Sequence, residues 1–129
     1  MTENPVKVQP IKEYAPGDVV CGVKIEPKVA YESGATRSDR TGKGRYDLIP
    51  PCALRRRALR FEGGAVEHGD RNWEKGMPRD RLYDSAMRHL VRWFEGDNSE
   101  DHLAAAGWQI DAAMYFEKEK AEGRAREGW

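Results

Sequence analysis

Apolar residues recur at helical spacing between residues 50 and 116, and not before. Leu54, Ala58, Phe61 and Ala65 lie three to four residues apart and predict a first helix. Pro50–Pro51 marks its start, because proline is accepted in a helix's first turn. Arg55, Arg56, Arg57 and Arg60 fall on its other faces. Gly63–Gly64 lies inside the pattern, at a cost of roughly 1 kcal/mol per glycine relative to alanine. The pair predicts a close helix crossing or a break. After His68, residues 69–79 read as a loop. A second helix is predicted from about Asp80 to Phe94, with Leu82, Ala86, Leu90 and Trp93 as its apolar stripe. Ser85 and His89 lie along that stripe's edge. Asp84, Arg88 and Glu95 follow an adjacent line, spaced to pair across turns. Gly96 stops this helix. Ser99 is the expected N-cap of a third, with Glu100 and Asp101 in its first turn, where the helix dipole favours acid. The third helix carries two stripes: Leu103, Gly107, Ile110 and Met114, and beside it His102, Ala106, Gln109, Ala113 and Phe116. Its small-residue run, Ala104 to Gly107, lets another helix approach closely. Beyond Phe116 the composition reads as a fraying, solvated end.

Residues 1–44 follow no helical period. Pro5, Pro10, Pro16 and Pro27 interrupt helices. Val19, Val20, Val23 and Ile25 fit a short strand or hairpin around Cys21–Gly22, and Ser33 to Lys43 reads as mobile loop. This segment is an irregular arm, packed on its own domain or a neighbouring subunit, or a basic flap carrying Arg37, Arg40, Lys43 and Arg45. The organisation expected is therefore an arm (1–44), a helical nucleotide-binding domain (45–120) and a charged tail (121–129).

Composition narrows the function. The 22 basic and 22 acidic residues cancel, which argues against stable nucleic-acid binding. With 39% apolar and 34% charged residues, the core is small. Three amphipathic helices make a thin bundle, which a homo-oligomer, dimer or tetramer, would complete. Cys21 and Cys52 have no CxxC spacing, so neither a disulfide framework nor a zinc site is indicated. No apolar run reaches membrane-span length and no signal-peptide pattern opens the chain, so no membrane partner and a cytoplasmic location are expected.

The candidate chemistry lies between Gly42 and Trp108. His89 and His102, on consecutive helices, are either satisfied core histidines or catalytic groups, and too few for a closed zinc site. Glu95, Asp97, Glu100 and Asp101 are a solvated, capping face or, if they converge, ligands for Mg²⁺ or Mn²⁺ with substrate phosphates. Asn72–Trp73 either stacks on and reads a base or staples its loop to the core. A planar, charged ligand such as a nucleotide suits this mixture.

The runs GKGRYDLIPPCAL, GDRNWEKGM, SAMRHL and FEGDNSEDHLAAAGW, in this order, resemble the phage-borne dATP/dGTP diphosphohydrolase N-terminal family over roughly residues 31–118. That family is regarded as related to the all-α MazG-like nucleotide pyrophosphohydrolases. The resemblance implies an all-α, oligomeric enzyme with a MazG-like bundle of three main helices. It would use Mg²⁺ to cleave a purine dNTP to dNMP and pyrophosphate in the host cytoplasm. Tyr46, Asp47, Gly69, Asn72, Trp73, Arg88, His89, Glu95, Asp97 and His102 fall on the family's recurring positions. On this reading His89, His102 and Arg88 are catalytic. Lys43, Arg45, Asn72, Trp73 and Arg88 bind the nucleotide, and Glu95, Asp97, Glu100 and Asp101 hold the metal. Ala105 stands where many relatives carry histidine, and the MazG EExxE metal pattern is not literally present. The rival is a nucleotide-binding or nucleotide-sequestering protein without turnover.

Overall fold

The computed structural model describes residues 5–9, 17–20 and 22–129. Pro10, Pro16 and Cys21 lie outside them. The chain divides into two compact units, Met1–Tyr46 and Asp47–Trp129.

The first unit has more β structure than the sequence pattern suggested. β1 (Pro5–Gln9), β4 (Lys28–Tyr31) and β5 (Thr36–Ser38) form an antiparallel sheet in the order β1-β4-β5. β2 (Val19–Val20) pairs with β3 (Val23–Lys24), as the four β-branched residues there indicated. β5 corrects the reading of residues 33–43 as loop. The Tyr31–Ala35 turn closes a hairpin through Gly34, whose φ of +88° suits glycine, and this brings Thr36 opposite Ala30.

The second unit holds the three helices expected: α1 (Pro51–His68), α2 (Arg79–Phe94) and α3 (His102–Ala121). A short 3-10 helix, Asn72–Lys75, lies in the loop between α1 and α2. α1 starts at the proline pair and runs unbroken through Gly63–Gly64. A Cβ built on either glycine meets nothing within 4 Å, so they mark neither a break nor a tight crossing.

α3 packs against both other helices. Its N-cap is Asp101, not Ser99. The Asp101 carboxylate accepts from Ala104 N–H at 3.0 Å. Ser99 lies outside the helix because its own N–H is held by Asp97 Oδ1 at 2.9 Å. Of α3's two stripes, the one with His102, Ala106, Gln109 and Phe116 is buried, while Ile110 and Met114 on the other are exposed. The core joins Leu82, Ala112 and Phe116 to Trp73, Met77, Trp108, Tyr115 and Trp129. Ala104, Ala105 and Ala106 are all buried, as close approach to α3 requires.

α2 is rotated from its expected register. Its buried residues are Leu82 and His89, with Ser85 half-buried between them, while Trp93 is exposed. The end of the chain also differs from expectation. Trp129 packs on Phe116 and donates its indole N–H to Met77 carbonyl at 2.7 Å, and the buried Glu119 pairs with Arg124 at 2.5 Å. Apolar area and an ion pair hold this segment down, so it is not a fraying tail. Among the described residues, no helix is long and apolar enough to cross a membrane.

Candidate functional site

The α2–α3 interface contains a polar seam. Gln109 donates its side-chain N–H to Ser85 Oγ at 2.7 Å. Two turns toward the start of α3, His89 Nδ1 and His102 Nδ1 face each other at 2.9 Å. In that contact one imidazole donates from Nδ1 and the other accepts, so the rings are opposite tautomers. The His102 side chain is only 1% exposed. Its Nε2 lies 3.1 Å from Asp97 Oδ2, but out of line for a hydrogen bond, and has no other partner among the described residues. Burial pushes the His89 imidazole below its ordinary pKa. Glu100, 3.8 Å from His89 Nδ1, acts the other way.

The carboxylates between α2 and α3 do not gather into one oxygen-rich ligand set. Arg56 holds Asp101 through two hydrogen bonds of 2.7 and 2.8 Å while Asp101 caps α3. The Arg56 guanidinium keeps that carboxyl down at about 2. Arg60 donates to Glu100 at 3.0 Å, and Arg57 pairs with Asp111 at 3.0 Å. Asp97 is also held down to about 2, first by the Ser99 N–H and hydroxyl and then by His102. Glu95 is an exposed residue at the C-terminal cap of α2. The four acids expected to bind a hard cation are thus divided among a helix cap, arginine partners, a local turn and an exposed cap. Among the described residues, one group brings three potential ligand side chains together: His89, Glu100 and His102, each offering an atom within 4.8 Å of the others.

A cleft of about 750 Å³ opens beside α1 and the loop of residues 69–78 that joins α1 to α2, the 70s loop. Arg60, Gly63, Gly64, Arg71, Asn72, Trp73 and Trp108 are among its walls. The volume is in the range of small-molecule sites. Gly63 and Gly64 contribute by lacking side chains. Arg71 has φ +59° and ψ +18°, a left-handed conformation that costs a non-glycine residue roughly 1–2 kcal/mol. It pairs with Glu74 at 2.7 Å. Trp73 is not an exposed loop tryptophan. It is half-buried, edge-on to Tyr115 and Phe116 with centroids 5.1 and 5.9 Å away, and it staples the loop to the core while one surface meets the cleft. Asn72 accepts from Lys75 at 3.3 Å.

Three candidates remain: Arg88, Lys43 and Arg45. Arg88 is on the exposed side of α2, paired with Asp84 at 2.8 Å, one turn apart, while its neighbour His89 is buried. That divergence follows from the helical geometry and removes Arg88 from the histidine pair. Lys43 and Arg45 belong to the first unit, where Lys43 pairs with Glu26. The residue that sequence reading left without a role is Arg60. It lines the cleft and also holds Glu100, so cleft, Arg60, Glu100 and the histidine pair form one connected series. The signal was the run of arginines on α1, but their targets are far away in sequence.

No solved structure and no curated protein matches the chain significantly. A family model matches residues 33–126, which include α1, α2, α3, the 70s loop and both histidines of the pair. The chain therefore belongs to the dATP/dGTP diphosphohydrolase N-terminal family.

Proposed function

We propose that the protein binds a purine deoxynucleoside triphosphate in the cleft beside α1 and hydrolyses it to the monophosphate and pyrophosphate. The observation that carries this reading is the cleft's lining. Two cations, Arg60 and Arg71, stand on the same walls as Asn72, Trp73 and Trp108, beside the carboxylates Glu67, Asp70 and Glu74. The indoles offer apolar surface to a purine, and Asn72 has the donor and acceptor to meet its edge. Arg60 and Arg71 meet phosphate oxygens, for which a guanidinium's fork is suited. Hydrolysis then needs water in line with the α-phosphorus and neutralisation of the departing pyrophosphate, a task chiefly of positioning and charge. The carboxylates expected to form a Mg²⁺ cage do not fit that role here. A divalent ion, Mg²⁺ or Mn²⁺, enters this reading only as the companion of the triphosphate.

Host cytoplasm, a phage source and a homo-oligomer belong to the same proposal. An oligomer is supported by α2. Tyr83, Met87, Val91 and Phe94 lie along one helical stripe and are all exposed, Phe94 by 84%. α1, which buries none of its residues fully, adds exposed Leu59 and Val66. A second copy, carrying the same stripe, is the occupant such a self-complementary surface fits.

The test is incubation of the full chain with each of the four dNTPs and Mg²⁺ or Mn²⁺, with pyrophosphate measured. Purine-selective release, abolished in Gly64→Leu, supports the reading. Release unaffected by Gly64→Leu would move the nucleotide out of the cleft. The rival, nucleotide binding without turnover, draws support from the arginine-neutralised carboxylates. Saturable dNTP binding without pyrophosphate release would establish it.

A further inference from the structure

The geometry points to a second element, distinct from the expected oxygen cage: a transition-metal site formed by His89, His102 and Glu100. It deepens the proposed function, since Arg60 joins this group to the cleft. Three observations support it. First, the two Nδ1 atoms are 2.9 Å apart. Two nitrogens at about 2.1 Å from one ion and about 90° apart would be separated by roughly 3.0 Å. The distance suits adjacent positions around a single octahedral ion; the ring centroids are 5.2 Å apart, so the two Nδ1 atoms point at each other, and each ring must turn for both to face one ion. Second, Glu100 Oε1 lies 3.8 Å from His89 Nδ1 and moves in by rotation of a partly exposed side chain as it leaves Arg60, which now donates to it at 3.0 Å. Third, the buried His102 Nε2 has no aligned partner, yet Asp97 Oδ2 lies 3.1 Å away. Metal-bound histidines almost always direct their other nitrogen to such a carboxylate or carbonyl. A small ring rotation supplies that bond here.

Two imidazoles and one carboxylate select the class of ion. Imidazole suits first-row transition ions, whereas Mg²⁺ keeps oxygen ligands and its waters. Three protein ligands leave octahedral positions open. Mn²⁺, Fe²⁺, Co²⁺ and Ni²⁺ accept that arrangement, and Mg²⁺ binds there far more weakly.

The test uses the full, untagged chain, stripped with chelator and labelled with ¹⁵N-histidine. Co²⁺ is titrated while ring resonances are recorded, and binding is counted by calorimetry. The expected result is one ion per chain, with the His89 and His102 signals strongly shifted and that of His68, exposed at the end of α1, least affected. Excess Mg²⁺ does not displace the ion. Asp97→Asn lowers Co²⁺ affinity on the order of 10–100-fold, and Glu100→Gln, at a partly exposed position, lowers it without unfolding the chain. Ring signals of His89 and His102 that ignore Co²⁺ would overturn the site and leave a plain histidine–histidine hydrogen bond. So would binding that is unchanged in Glu100→Gln and Asp97→Asn. This readout is independent of turnover. An ion bound at the histidines with no pyrophosphate release defeats the proposed activity and not the site, and turnover with silent histidines does the reverse.

Discussion

Three glycines in helices give unequal predictions for the same substitution. Gly63 and Gly64 in α1 and Gly107 in α3 each forgo helix propensity, which alanine would restore by roughly 1 kcal/mol apiece. At Gly63 and Gly64 an added Cβ meets nothing within 4 Å, so the gain is realised in full. At Gly107 the Cβ would lie 2.8 Å from Arg57 Cδ and 3.3 Å from its Cγ. The Arg57 stem must move, and its 3.0 Å pair with Asp111 goes with it. Losing a pair of that kind costs about 0.2–1 kcal/mol, so Gly107→Ala keeps at most about 0.8 kcal/mol of the gain and, at the upper end of that cost, none. Urea unfolding of the three single variants and the Gly63→Ala/Gly64→Ala double variant measures this directly. The double variant should gain about 2 kcal/mol, because neither methyl has a neighbour through which to couple. The same methyls line the cleft, so dNTP affinity should fall as stability rises. A destabilised Gly63→Ala, or a Gly107→Ala as stable as Gly63→Ala, would refute the reasoning from local space.

Arg71→Gly should relieve the left-handed backbone and stabilise the chain by about 1 kcal/mol while weakening dNTP binding; a variant less stable than the parent in thermal unfolding would show that Arg71 is held by more than its pair with Glu74. Stability should decline in two stages on acidification. Folded His89 resists protonation, so stability falls as pH drops below its ordinary 6.5; Asp97 and Asp101, held at about 2, lose their contribution as pH falls from about 4 through 2. Denaturant midpoints at pH 8, 5.5 and 3 check the order, and a midpoint that rises on acidification would contradict it. Light scattering at micromolar concentration should give at least twice the 14.7 kDa chain mass, and Phe94→Glu should lower it; a parent mass near 14.7 kDa ends the oligomer proposal.

The helices were legible because apolar spacing, the proline pair at the start of α1 and Gly96 after α2 are properties of single segments. Register was less so. Ser85 and His89 read as the edge of α2 because they are polar, yet they face inward since Gln109 and His102 on α3 complement them. That is a property of two helices together and is absent from either alone. The caps show the same limit. Ser99 and Asp101 are equally good N-cap residues, and Asp97 decides between them by taking the Ser99 N–H. The acidic run was visible as a cluster, but its engagement by α1 was not. Arg56 and Arg60 meet Asp101 and Glu100 across 45 and 40 residues of sequence.

Those arginines also explain how the candidate site is put together. α1 buries no residue fully, and its attachment to α3 rests on Phe61 beside Trp73 and Trp108 and on three pairs: Arg56–Asp101, Arg57–Asp111 and Arg60–Glu100. Partly exposed pairs contribute little to stability, but three of them along one helix fix its position relative to α3. They hold Arg60 where the cleft wall and Glu100 meet. On the proposed reading, a triphosphate in the cleft competes with Glu100 for the Arg60 guanidinium. Each phosphate oxygen that Arg60 takes up frees the Glu100 carboxylate, whose nearest further partner is His89 Nδ1 at 3.8 Å. Filling the cleft and completing the histidine–carboxylate group are then coupled through one side chain, and linkage requires the coupling to run both ways. An ion at the histidines draws Glu100 away and leaves Arg60 available to phosphate. Arg60→Gln should therefore weaken dNTP binding yet strengthen Co²⁺ binding. Loss of both would mean that Arg60 only props α1 against α3.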